Sequence, residues 1–292
     1  MYENGEGILQ DYSKAFEWFL KSAEQGDSNA QFNLAVMYEN GEGIVQDYSK
    51  AFEWFLKSAE QGYSNAQFNL ALMYDNGIGI LQDYSKAFEW YLKSAKQGDS
   101  RAQFNLALMY ENGKGVEQDY SKAFEWFLKS AKQGDSNAQF NLALMYENGI
   151  GILQDYSKAF EWYLKSAGQG YSRAQFNLAL MYENGIGILQ DYSKAFEWYL
   201  KSAEQGYSNA QFNLALMYEN GEGILQDYSK AFEWYLKSAE QGDSRAQFKL
   251  AVMYYNGEGI LQDYSKAFEW FLKSAEQGNS SAQFKIKALK ME

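Results

Sequence analysis

The sequence contains no cysteine, no histidine and no proline in 292 residues. Without cysteine there is no disulfide framework and no thiol nucleophile. Without histidine there is no imidazole base, and zinc and haem lose their usual ligands. No metal or cofactor is therefore expected. The missing thiols suit either redox compartment, so the compartment stays open. Positive charge is also scarce, with Lys+Arg 26 against Asp+Glu 38 and a net charge of -12. Nucleic acids and anionic membranes both select basic patches, so neither is an expected partner. No apolar run approaches the roughly 20 residues that cross a bilayer. The opening Met1-Tyr2-Glu3-Asn4-Gly5-Glu6-Gly7 is acidic and lacks the apolar stretch of a signal peptide. A soluble chain is expected. What is abundant is hydrophobic material, 46% of residues with 18% aromatic, which is ample for a core.

Tryptophan reveals the organisation. Trp18, Trp54, Trp90, Trp126, Trp162, Trp198, Trp234 and Trp270 follow one another at intervals of 36 residues. Eight such units fill all but four of the 292 positions, so the chain reads as one solenoid domain, 1-292. A partial first helix is expected at 1-5 and a capping helix at 280-292.

Each unit carries two helical patterns and no strand signal. The first, Ser28 to Gly41, opens on a Ser-x-x-Gln string that predicts a capping box between Ser28 and Gln31. Gly41 supplies its left-handed stop. The second, Asp11 to Gly26, starts on a natural N-cap, ends on glycine and offers an i,i+4 pair from Glu17 to Lys21. The intervening turn, Gly41-Glu42-Gly43-Ile44-Val45-Gln46, carries two glycines and a pair of apolar anchors. The expected fold is all-α, two antiparallel helices per 36-residue unit.

Stepping 100° per residue separates the faces. On the second helix Tyr12, Ala15, Phe16, Trp18, Phe19, Leu20, Ser22 and Ala23 share a broad apolar arc, which places the Trp18 series in the core. On the first helix Ala30, Leu34, Ala35, Met37 and Tyr38 form the core arc. The opposite arc holds Asn29, Phe32, Asn33, Val36, Glu39 and Asn40, so stacked units turn it into a groove of amides and apolar groups with few charges.

The strings Ala-Gln-Phe-Asn-Leu-Ala-x-Met-Tyr-x-Asn-Gly-x-Gly and Gln-Asp-Tyr-Ser-Lys-Ala-Phe-Glu-Trp-Phe/Tyr-Leu-Lys-Ser-Ala-x-Gln-Gly closely resemble the Sel-one-like repeat (SLR), a relative of the tetratricopeptide repeat. The resemblance covers essentially the whole chain. It implies a right-handed α/α superhelical solenoid of eight helix-turn-helix repeats acting as a scaffold or adaptor for other proteins. Two features depart from the family. Its frequent proline before Gln-Asp is replaced by Leu9, Val45, Leu81 and Glu117 in the first four units, and its cysteine-rich secreted branch, linked to weak β-lactam chemistry, is not matched.

Chemical motifs are few. Asn40-Gly41-Glu42-Gly43 lacks the preceding strand and the following Lys of a phosphate loop, and the alternating ligands of a calcium loop, so it reads as a helix stop. Asp11 and Glu17 recur in every unit, whereas an active site is unique; no enzyme is expected. The Asn33 series is the exception. Asn33, Asn69, Asn105, Asn141, Asn177 and Asn213 share one register, followed by Lys249 and Lys285. Mid-helix Asn costs propensity, so a compensating role is expected. One is a structural ladder of amides or water. The other, implied by the tetratricopeptide resemblance, is binding of an extended peptide backbone.

The candidate groove is completed by Phe32, Phe68, Phe104 and Phe140, and by Arg101, Arg173 and Arg245, which would favour acidic ligand groups. Two functions remain open: a non-enzymatic scaffold holding a partner protein or peptide in its concave groove, or a glycan-binding module, since Asn33 beside Phe32 also suits sugars. At the ends, Lys287 and Lys290 occupy core-arc positions and predict a cap. Met1 and Tyr2 align with Met37 and Tyr38, which leaves Trp18 short of packing partners and predicts that the N-terminal edge either continues in a longer parent protein or self-associates.

Overall fold

The computed structural model describes residues 11–289. All regular structure among them is helical: sixteen helices, with no strand. The chain divides into two compact units, Met1–Leu153 and Gln154–Glu292. The first contains α1 (Tyr12–Glu24), α2 (Ser28–Asn40), α3 (Tyr48–Glu60), α4 (Ser64–Asn76), α5 (Tyr84–Lys96), α6 (Ser100–Asn112), α7 (Tyr120–Lys132) and α8 (Ser136–Asn148). The second contains α9 (Tyr156–Gly168), α10 (Ser172–Asn184), α11 (Tyr192–Glu204), α12 (Ser208–Asn220), α13 (Tyr228–Glu240), α14 (Ser244–Asn256), α15 (Tyr264–Glu276) and α16 (Ser280–Leu289). Within each unit consecutive helices pack on one another, which makes an all-α repeat solenoid.

Local chemistry sets the boundaries. Every odd helix begins after an aspartate whose side chain accepts from the amide three residues on, as Asp47 does from Lys50 at 3.0 Å. Gly41 ends α2 at φ 74°, the left-handed conformation a side chain resists. The second turn glycine has a different reason. A Cβ on Gly79 would lie 2.3 Å from the Tyr48 carbonyl oxygen, so this turn rests directly on the backbone of α3.

Several local expectations are corrected. Ser28 does not cap α2. Asp27 is the cap, its carboxylate accepting from the Ala30 amide at 2.7 Å. Gln31 is drawn inward instead: it donates to the Ala23 carbonyl at 3.1 Å and accepts from Gln61 at 2.7 Å. Both partners belong to neighbouring helices, which a reading of one helix does not see. Ser58 adds a bond to the Ser28 carbonyl at 2.8 Å. Gln67, Gln103, Gln175, Gln211 and Gln247 repeat the arrangement.

Glu17 and Lys21 do not pair. Lys21 lies over the Trp18 ring, 4.9 Å from its centroid, and the next Lys57 lies over Trp54 at 3.8 Å. The Trp series is therefore surface-lying and not core: Trp18 is 61% exposed, and its seven counterparts are half-buried. The fully buried aromatic of the odd helix is the following residue, Phe55 or Tyr91. The turn's apolar pair also splits. Ile44 is half-buried, but Val45 and Leu81 are 84% and 87% exposed. The core arc of the even helices is as expected, with Ala30, Leu34, Ala35, Met37 and Tyr38 all buried. Lys287 is exposed, while Met1, Tyr2 and Lys290 lie outside the described residues.

Candidate functional site

The arc opposite the core on the even helices is half-buried, because each odd helix presents an aromatic side chain against it. Phe32 stacks on Phe55 with ring centroids 5.7 Å apart, and Phe68 on Tyr91 at 5.9 Å. Phe68 and Phe140 are thereby buried, whereas Phe32 and Phe104 are half-buried. A second group covers some of these rings from outside. Tyr63 stands 5.2 Å from Phe32, and the Arg101 guanidinium 4.3 Å from Phe68. The variation between Asp, Tyr, Asn and Arg at the start of the even helices is thus variation in how the preceding phenylalanine is covered. The variable positions were visible in the sequence but this purpose was not, since the partners lie more than 30 residues apart.

The arginines do not stand free. Arg101 donates to Asp99 at 2.6 Å and to Asn65 at 2.8 Å, and Arg245 makes the same contacts with Asp243 and Asn209. Arg173 is exposed and follows Tyr171 in place of an aspartate.

The asparagine row is not uniform. Asn177 donates to the Tyr163 hydroxyl at 2.9 Å and Asn213 to the Tyr199 hydroxyl at 2.9 Å, and Asn105 faces the Tyr91 phenol from the same register. Asn33, Asn69 and Asn141 follow phenylalanine at that register (Phe19, Phe55, Phe127), and among the described residues their amides have no partner. No Asn-to-Asn ladder forms.

Each tyrosine also faces a carboxylate. Tyr91 donates to Asp75 at 3.4 Å, Tyr199 to Glu183 at 2.6 Å, and Tyr235 to Glu219. Burial, joined by the facing carboxylate, holds all three phenols well above their ordinary range. Where the odd helix has phenylalanine, the carboxylate is left without a partner. Glu39 and Glu111 are such groups, and burial pushes both carboxyls up. The surface therefore carries one acidic residue per even helix, from Glu39 to Glu219, a feature understated in a sequence reading that stressed amides. Lys249 replaces asparagine after Tyr235, and its ammonium lies 2.9 and 3.0 Å from the two Glu219 oxygens.

The Sel1 repeat family model matches residues 1–27, 28–63, 64–99, 100–135, 136–171, 172–207, 208–243 and 244–279. The chain belongs to the Sel1-repeat family. This Sel1-repeat protein is similar to a protective antigen of uropathogenic Escherichia coli that displays an SLR fold. The two share 40% identity with a TM-score of 0.91, over 94% of this chain and 59% of the antigen. The Sel1-repeat chain thus spans 59% of that relative's length. It also resembles a Sel1 repeat protein of Oxalobacter formigenes, at 35% identity and a TM-score of 0.77, over 94% of this chain and 80% of the other. No curated protein matches the chain. Sel1-repeat proteins generally mediate protein–protein interactions on a scaffold that is generally non-enzymatic. Among the described residues of this one, no helix is long and apolar enough to cross a membrane.

Proposed function

We propose that this Sel1-repeat protein is a non-enzymatic scaffold whose even-helix surface holds an extended segment of a partner protein. The observation that supports this reading is the unpaired amide row, Asn33, Asn69 and Asn141. These side chains sit half-buried at one register and have no partner among the described residues. No buried side-chain nitrogen or oxygen among the described residues lacks a partner, so these amides face solvent and are free to bond a ligand. An extended peptide backbone offers the alternating N–H and C=O groups that an amide can pair with on both sides. Arg101 and Arg245 are already neutralised by aspartate and do not enter the reading.

A peptide array run beside a glycan array tests the class of ligand. The triple variant Asn33→Ala, Asn69→Ala, Asn141→Ala should bind array-selected peptides at least about tenfold more weakly, with its helical circular dichroism unchanged. Intact binding with a large loss of stability would show the amides to be structural.

A further inference from the structure

Lys249 shows what chemistry this surface accepts. Its ammonium is chelated by both Glu219 oxygens, at 2.9 and 3.0 Å, in the register that holds asparagine in the preceding repeats. Glu39 is the counterpart of Glu219 on α2, and Asn69 stands in the register of Lys249 one repeat further on. Glu111 and Asn141 form a second such pair in the same compact unit. At both pairs the intervening odd-helix residue is phenylalanine, Phe55 or Phe127, so no hydroxyl satisfies the carboxylate. Between them, Asp75 is closed by Tyr91. In the second unit Glu183 is closed by Tyr199, and Glu219 by Tyr235 and Lys249. The unit at 1–153 thus keeps two open, half-buried carboxylates on a chain whose net charge is -12.

We infer that Glu39 and Glu111 each receive a lysine side chain of the partner segment, so that the occupant of this surface is a basic peptide read by the first unit. This rests on the proposed peptide-binding reading and specifies its ligand. The two sites are two repeats apart. Even helices of adjacent repeats meet directly, as Lys249 on α14 and Glu219 on α12 do at 2.9 Å, so at 8–10 Å per packed helix the separation is about 16–20 Å. An extended chain covers that in about 5–6 residues. The partner therefore carries two lysines at about that spacing. Phe55 and Phe127, which make no contact with the ligand, act as specificity determinants by withholding the hydroxyl that would close each carboxylate.

The test is fluorescence anisotropy with labelled Ala/Asn/Ser peptides of about sixteen residues, carrying two lysines at that spacing or none. Glu39→Gln with Glu111→Gln should weaken the lysine-pair peptide at least about tenfold. Phe55→Tyr with Phe127→Tyr, which keeps both carboxylates but supplies each with an internal hydroxyl, should weaken it similarly. The charge-matched variant Glu53→Gln with Glu125→Gln, on exposed odd-helix positions, should bind as the parent does. An equal loss in that variant would reduce the effect to general attraction and overturn the inference, as would unchanged binding in the two phenylalanine-to-tyrosine substitutions. If the lysine-free peptide binds as tightly as the lysine-pair peptide and both are lost in the Asn33, Asn69 and Asn141 alanine variant, peptide binding stands and the lysine sites fall. If neither peptide is held, the peptide-binding reading falls with them.

Discussion

Tyr199, fully buried on α11, donates its hydroxyl proton to Glu183 on α10 at 2.6 Å and accepts from Asn213 on α12 at 2.9 Å. One side chain thus joins three consecutive helices. The same position is phenylalanine in α3 and α7, where the flanking carboxylate and amide are left open.

That relationship gives opposite expectations for two mirror-image substitutions. Tyr199→Phe should destabilise by about 1 kcal/mol, because Glu183 and Asn213 lose a half-buried partner. Phe55→Tyr should cost almost nothing, since Glu39 and Asn69 await the added hydroxyl as Asp75 and Asn105 receive that of Tyr91. Denaturant midpoints of the two variants decide this, and equal losses would contradict it.

Glu39 and Glu111 make stability depend on pH in a set direction. Burial raises their folded pKa above the unfolded value of about 4.3. The folded state then binds more protons between the two values, so their contribution is full below the unfolded pKa and is lost as pH rises through the folded one. Glu39→Gln with Glu111→Gln should therefore raise the denaturant midpoint at pH 7, with the gain fading towards pH 4. A gain of the same size in Glu53→Gln with Glu125→Gln would assign it to overall charge instead.

Two glycines with similar backbone angles should respond unequally to alanine. Gly79, at φ +71°, has the Tyr48 carbonyl oxygen 2.3 Å from where its Cβ would be, whereas Gly62, at φ +91°, faces open space. Gly62→Ala should cost about 1 kcal/mol from the left-handed conformation alone. Gly79→Ala should cost about 3 kcal/mol or more, because the turn must also lift off α3. Thermal melts that shift equally for both would remove the contact argument.

Gln103→Ala should be more damaging than its polarity suggests. The side chain donates to the Ala95 carbonyl at 3.1 Å and accepts from Gln133 at 2.7 Å, in a buried setting between α5, α6 and α7. Its removal takes one of two bonds from the Ala95 carbonyl, which keeps the Gly98 amide at 3.1 Å, and leaves the exposed Gln133 amide to water, so the loss should be about 1 kcal/mol. Hydrogen exchange should accelerate at the junction of α5 and α6; unchanged protection there would show that water replaces the lost amide.

The 36-residue interval of tryptophans, the aspartate caps, the glycine stops and the core arc of the even helices were legible in the sequence. All are local: a cap reaches three residues, and a helix face repeats every three to four, so neighbouring letters carry the information. The asparagine row was legible as a row. Its division into amides bonded to tyrosine and amides left open was not, although the Phe/Tyr alternation at Phe55, Tyr91 and Phe127 was visible in the motif. Nor was the inward turn of Gln31 or the exposure of Trp18. Those outcomes depend on partners 8, 14, 16 or 30 positions away, which meet only after helices pack. The sequence alone determined where the odd helices start, where the even helices stop and which face the even helices bury. Tertiary structure decided which polar groups satisfy one another across helices and which stay open, because hydrogen bonds form between atoms that packing brings within about 3 Å, however far apart they lie along the chain.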